Sequence, residues 1–202
     1  MRKATFNEEI PRRPISGLLL SGGSSSRMGQ DKTQLRVEGV TLAQRTAQLL
    51  ERVVDDALEV GPGTSGLGSV REEPPGEGPL SALVVGYEAL HERGAPADAL
   101  VVASDLPNLT EELLAFLVGF DAPGSLVPMV EGHYQPLCAR WARQDLDAAV
   151  IRRREGERSL RFLLTQPRVT LLEEPGWRHV ASVDTFADVD TPDEAKRWGL
   201  LL

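Results

Sequence analysis

One cysteine, Cys138, stands in 202 residues, so no disulfide can close within the chain, and in an apolar run with no activating neighbour it reads as a small packed side chain. No apolar stretch approaches the ~20 residues of a membrane-spanning helix. The leading segment MRKATFNEEIPRRP carries cations but no apolar centre, which excludes a secretory signal and predicts a flexible tail over residues 1–14. Positive charge is also in deficit: 30 acidic against 22 basic residues leave a net charge of −8. A broad nucleic-acid surface is thereby excluded, while a local basic pocket for a small anion is not. The three histidines, His91, His133 and His179, are isolated, and a lone turn histidine such as His133 is usually nothing more than that. These absences predict a cytoplasmic protein with neither membrane nor nucleic acid as partner. Its length suits one domain, residues 15–202, able to bury roughly 70% of its unfolded surface without a staple.

What is present is concentrated in ISGLLLSGGSSSRMGQDKT, residues 15–33. An apolar run from Ile15 to Leu20 has the length of a buried strand and is broken by Gly22-Gly23. Small residues follow, with two cations, Arg27 and Lys32, set among them. Backbone N–H groups can approach an anion closely there, and two fixed cations suit a polyphosphate. The common phosphate motifs do not fit. Five residues rather than four separate Gly23 from Gly29, with Lys32 three positions later, and G-x-G-x-x-G is absent.

Downstream, strand and helix patterns alternate. Residues 41–54 predict an amphipathic helix, DALEV (56–60) a strand, residues 70–73 the end of a short strand, and Pro79 a helix start. Residues 99–103 predict a buried strand, and residues 110–120 a helix capped by Thr110 with Glu111 and Glu112 in its first turn. Further on, a strand is expected over 125–130, a turn at Gly132-His133 and another helix start at Thr191-Pro192. The alternation predicts an α/β fold with a mostly parallel sheet, whose ligands gather beyond the carboxyl ends of the strands where strand order reverses. Gly22 to Lys32 and Asp105 should both lie there. Asp105, directly after a buried strand, reads either as a turn or cap aspartate or as an oxygen ligand for Mg²⁺.

The loop resembles the signature L-A-G-G-x-x-x-R-M-G-x-D-K of the molybdenum cofactor guanylyltransferase family of nucleotidyltransferases. Here it stands as Leu20-Ser21-Gly22-Gly23, Arg27-Met28-Gly29 and Asp31-Lys32, with Ser21 where the family usually has Ala. Ser104-Asp105-Leu106-Pro107 matches its D-x-P, and Gly78-Pro79-Leu80 its G-P-L-x-G, with Ala82 in place of the second Gly. Glu73 takes the place of a family Asp that approaches the nucleotide. YQPLCARW, from Tyr134, is similar to the Q-P-L segment, and Phe186 to Glu194 to F-x-N-x-N-T-P-E-D, with Asp188 and Asp190 for both asparagines.

The resemblance implies a three-layer α/β/α, Rossmann-like fold of the nucleotide-diphospho-sugar transferase (GT-A-like) kind, with a nucleotide-binding half (15–120) and an acceptor-binding half (121–202). It implies transfer of GMP from GTP to the phosphate of molybdopterin, with Mg²⁺ as cofactor and pyrophosphate leaving. Arg27, Lys32 and Asp105 would be catalytic, and Leu20, Ser21, Gly22, Gly23, Glu73, Gly78, Pro79 and Leu80 would join them around the nucleotide. Asp105 would hold the metal, with Asp190 a second candidate. Gln135, Arg158, Arg161 and Asp190 would meet the acceptor; the basic run Arg152 to Arg154 with Arg158 and Arg161 also reads as a solvated helix face. The incoming phosphate is already ionised, so no general base is demanded. A monomer in transient contact with other molybdenum cofactor proteins is the expected state.

Three alternatives stand beside this reading. Aspartates in the terminal motif are usual in cytidylyl-transferring relatives, whereas Gly22 favours guanine over the A-A-G of those relatives. A sugar-phosphate nucleotidyltransferase would share the fold. A non-catalytic nucleotide-binding protein could dispense with the metal, against which the joint presence of Arg27, Lys32 and Asp105 speaks.

Overall fold

The computed structural model describes residues 14–22, 35–37 and 39–200; Gly23, Arg27 and Lys32 lie outside them, as does most of the predicted tail. The first strand, β1 (Ser16–Leu20), is buried along its whole length. A two-residue hairpin, β2 (Arg36–Val37) with β3 (Val40–Thr41), leads into α1 (Leu42–Glu51). Thr41 caps that helix through a reciprocal pair with Gln44, satisfying two end groups that would otherwise lack partners. Next come β4 (Asp56–Val60), β5 (Gly68–Val70) and α2 (Pro79–Glu92). β5 ends at Val70, short of the expected Glu73, where Pro74 and Pro75 bring segments with no N–H to donate.

β6 (Ala99–Ala103) follows, then α3 (Glu111–Gly119), whose Thr110 side chain accepts from Leu113 N–H as the sequence predicts. A hairpin joins β7 (Leu126–Val130) to β8 (His133–Tyr134), which places His133 on a short strand rather than in the turn. After β9 (Cys138–Trp141) and α4 (Arg143–Arg154), a 3₁₀ turn covers Leu160–Thr165. The chain then forms β10 (Thr170–Leu172), α5 (Glu174–Trp177), a 3₁₀ turn at Val183–Phe186 and α6 (Pro192–Arg197).

The main sheet runs β10-β7-β9-β6-β1-β4-β5. β1 is parallel to both β4 and β6, and β5 and β10 are parallel to their neighbours. β9 is the exception, lying antiparallel between β6 and β7. Alternation along the strands separates two apolar layers. Leu19, Leu100 and Val102 pack against α1 and α3, while Leu18, Leu20 and Val101 pack with Leu80, Leu83, Leu146 and Leu163 on the opposite face. The result is the predicted α/β/α arrangement, and each fully buried leucine contributes about 2 kcal/mol of transfer free energy. Two large side chains close the layers with their polar atoms met: Trp141 Nε1 donates to Pro136 O at 3.0 Å and Trp177 Nε1 to Met129 O at 3.1 Å. No helix among the described residues is long and apolar enough to cross a membrane.

Candidate functional site

From β1 the chain moves outward to β4 and β5 on one side, then returns to β6 on the other. That reversal leaves a crevice beyond the carboxyl ends of β1 and β6. Leu20 pairs with Ala103, and Ser104 N–H donates to Leu20 O at 3.0 Å, so Ser21-Gly22 and Ser104-Asp105 leave adjacent strands side by side. Of the loop expected there only its first residue, Gly22, is described; Gly23, Arg27 and Lys32 lie outside the described residues.

Ser21 and Gly22 are held by β4. Both backbone N–H groups donate to Val60 O, at 3.1 and 3.2 Å. Behind them lies Glu59, fully buried in the middle of β4. Its Oε1 accepts from Ser21 Oγ (2.6 Å), Gly63 N–H (2.9 Å) and Thr64 N–H (3.2 Å), and its Oε2 from Ser65 N–H (2.9 Å) and Ser65 Oγ (2.6 Å). Burial pushes its carboxyl upward, but the donors from Ser21, Ser65 and Gly63 outweigh it and hold Glu59 below its ordinary value. Sequence reading passed over this residue, although a glutamate inside DALEV was the available signal: a charge in a buried strand must find partners.

Asp105 is half-buried, and its carbonyl accepts from Val189 N–H at 3.1 Å. A second tie, Asn108 Nδ2 to Asp184 O at 3.2 Å, fixes the same approach. Asp190, also half-buried, therefore lies one residue from a direct backbone contact with Asp105, 85 positions away in sequence by subtraction of their numbers. The α6 cap orients this segment: Glu194 Oε2 accepts from Asp190 and Thr191 N–H groups, both at 2.8 Å. Those backbone donors, that of Asp190 foremost, hold the Glu194 carboxyl below its ordinary value. Asp188 is exposed.

The Gly78-Pro79-Leu80 turn opens α2. Gly78 has φ +96, a backbone region that side-chain-bearing residues rarely adopt, and an added Cβ would stand 3.4 Å from Arg158 O. Leu80 is fully buried, so it anchors the turn in the core while Pro79 stays exposed. Glu73 is exposed; its neighbour Glu72 is half-buried, and its Oε1, like Thr64 Oγ1, is buried with no partner among the described residues.

The basic run does not form one helix face. Arg152, Arg153 and Arg154 end α4, whereas Arg161 belongs to the following 3₁₀ turn, because the chain turns at Gly156 with φ +93. Arg153 is a strut, reaching Ser81 Oγ at 3.1 Å and Glu77 at 3.4 Å; Arg152 and Arg154 pair with Glu155 and Glu88. Arg158 and Arg161 are exposed, and their hydrogen bonds run through backbone N–H groups. Gln135 precedes β9 at the same carboxyl edge as Asp105, where Leu137 O accepts from Ala103 N–H at 2.8 Å and Gln135 Nε2 reaches His133 O at 3.3 Å.

Among the described residues no cysteine or histidine stands ready as a nucleophile or base in this crevice. Burial pushes the Cys138 thiol up to about 12, His133 is exposed, and His179 stacks edge-on against Phe116. Among the described residues no group of three or more His, Cys, Asp or Glu side chains could hold a metal ion. Two half-buried carboxylates, Asp105 and Asp190, nevertheless supply the oxygen donors that suit Mg²⁺ shared with phosphates, which needs only one or two carboxylates from the protein.

The model of the MobA-like NTP transferase domain matches residues 17–171. A probable molybdenum cofactor guanylyltransferase of Opitutus terrae is 33% identical over 81% of this chain and 88% of its own length. A protein of the same name from Chloroflexus aggregans is 31% identical, covering 90% of this chain and 92% of the relative. The crystal structure of molybdopterin-guanine dinucleotide biosynthesis protein A from Archaeoglobus fulgidus superposes with a TM-score of 0.71 at 21% identity, over 91% of this chain and 96% of that one.

Proposed function

The chain belongs to the family of MobA-like NTP transferase domains and is a nucleotidyltransferase, and from that premise we propose that it transfers GMP from GTP to the phosphate of molybdopterin. The observation that supports the reading is that Ser21-Gly22 and Ser104-Asp105 leave two adjacent parallel strands, β1 and β6, side by side. The names of the relatives from Opitutus terrae and Chloroflexus aggregans agree with it.

A phosphate oxygen of molybdopterin attacks the α-phosphorus of GTP, a new P–O bond forms, the bond to the bridging α,β-oxygen breaks, and pyrophosphate leaves. The attacking oxygen is already ionised, so the chain's task is in-line placement and relief of negative charge. Lys32 meets the α-phosphate, Arg27 the departing β- and γ-phosphates, and the Gly22-Gly23 backbone the base and sugar side. Asp105 would hold Mg²⁺, with Asp190 a second contact to the metal or the acceptor; the ion would supply relief of charge on phosphate oxygens. Gly78 to Leu80 enclose the nucleotide, with Glu73 beside it. Gln135, Arg158 and Arg161 face the acceptor from residues 121–202.

The test is calorimetry of GTP, CTP and ATP with and without Mg²⁺, followed by pyrophosphate release with molybdopterin. A GTP preference and molybdopterin-dependent release are expected. One observation favours a second reading: Asp188 and Asp190 stand where guanylyl-transferring relatives carry asparagine, so a CTP preference would assign cytidylyl transfer. Nucleotide binding without release would leave a binding protein, and no binding would remove the phosphate-loop reading altogether.

A further inference from the structure

Glu59 is a buried carboxylate that the reaction does not use, yet it receives five hydrogen bonds from two segments far apart in sequence. One donor is the hydroxyl of Ser21, directly before Gly22, and the other four come from Gly63, Thr64 and Ser65. Ser21 Oγ and Thr64 N–H share a single oxygen, Oε1. The two segments are also packed face to face. An added Cβ at Gly61 would stand 2.1 Å from Ser21 Oγ and 3.0 Å from Gly22 N, so only a residue without a side chain lets them meet. Within the clamped loop the Thr64 hydroxyl is buried with no partner among the described residues, a state that is unfavourable unless a ligand or water meets it.

We infer that Glu59 is a positioning residue for the nucleobase: its carboxylate welds the Ser21-Gly22 turn to residues 61–65, making one wall against which the base is measured. This rests on the reading of Gly22 as the base-side contact of a nucleotide. Here three of the donors, Ser21 Oγ, Gly63 N–H and Thr64 N–H, converge on one oxygen behind the crevice. The hydroxyl at position 21 is this chain's own choice, since alanine would remove the bond and leave the strand intact.

The experiment compares wild type, Ser21→Ala and Glu59→Gln for Kd of GTP, CTP and inorganic tripolyphosphate, with thermal unfolding alongside. Ser21→Ala removes one bond of five and keeps the fold available even where Glu59→Gln does not. The ratio of GTP to CTP affinity is expected to move about 3- to 10-fold towards unity in Ser21→Ala and further in Glu59→Gln, while tripolyphosphate, which lacks a base, binds as in wild type. An unchanged ratio in Ser21→Ala overturns the inference and leaves the proposed function standing, as does equal weakening of all three ligands. A wild-type protein that does not distinguish GTP from CTP removes the proposed function's base assignment and this inference with it.

Discussion

The two edges of the main sheet solve the same problem in opposite ways. At the amino edge, polar groups finish one another. Arg140, buried on β9, donates to the carbonyls of Val118, Phe120, Ala122 and Gly124; Ser125 Oγ donates to the buried Asp145 at 2.5 Å; Asp98 accepts from the Arg143 N–H at the start of α4. At the carboxyl edge Glu59 is equally well satisfied, but around it capacity is left over. The two buried side-chain oxygens without a partner among the described residues, Thr64 Oγ1 and Glu72 Oε1, both follow strands at this edge. A closed edge holds the fold, and an edge with unmet donors and acceptors is the one that can take a ligand.

Substitutions should separate accordingly, with activity lost at one edge and stability at the other. Lys32→Ala is expected to lower turnover about 100- to 1000-fold with an unchanged melting temperature; wild-type rates would take Lys32 out of the transition state. Arg140→Met tests the opposite edge, leaving buried carbonyls without donors. It should cost about 3 kcal/mol in denaturant unfolding while the folded enzyme keeps its kcat, and a kcat change without unfolding would break the division.

Smaller effects sharpen the picture within the carboxyl edge. Asp105→Asn is expected to move the Mg²⁺ titration of activity to about 10-fold higher concentration, and an unmoved curve would return Asp105 to a turn role. Arg161→Ala should raise KM for molybdopterin about 5-fold with GTP affinity unaltered; weaker GTP binding instead would move that cation to the nucleotide half. The mildest effect is on acid stability. Glu59 is held below its ordinary value in the folded state, so its stabilisation is complete above the unfolded-state value and disappears as pH falls through the lower folded one. The stability gap between wild type and Glu59→Gln, read by urea unfolding, should therefore narrow on acidification below about pH 4; a gap that widens would reverse the sign of the shift.

Much of this architecture was legible in residue order. The run ending at Leu20, the strand DALEV and the strand Ala99–Ala103 are announced by short apolar runs, and the caps Thr110 and Thr191 and the start at Pro79 depend on contacts a few residues apart, all of which composition and spacing express directly. The family resemblance added the expectation that Gly22 and Asp105 belong together. The basic run from Arg152 to Arg161 reads as a single helix face in the sequence but is not one, because Gly156 turns the chain: Arg153 goes to Ser81 and Glu77 while Arg161 starts afresh in another element.

By itself, then, the sequence determined the alternation of strands and helices, the glycine-broken exit from β1 and the chemical types available there, all of them consequences of local backbone preference and hydrophobic period. Tertiary structure alone decided that β9 runs antiparallel between β6 and β7, that Val189 N–H reaches Asp105 O, and that Glu59 binds Ser21 to Ser65. Each of those is a hydrogen-bonded meeting of segments tens of residues apart. A donor and an acceptor carry no mark of which distant partner they will satisfy until the sheet has set its strand order.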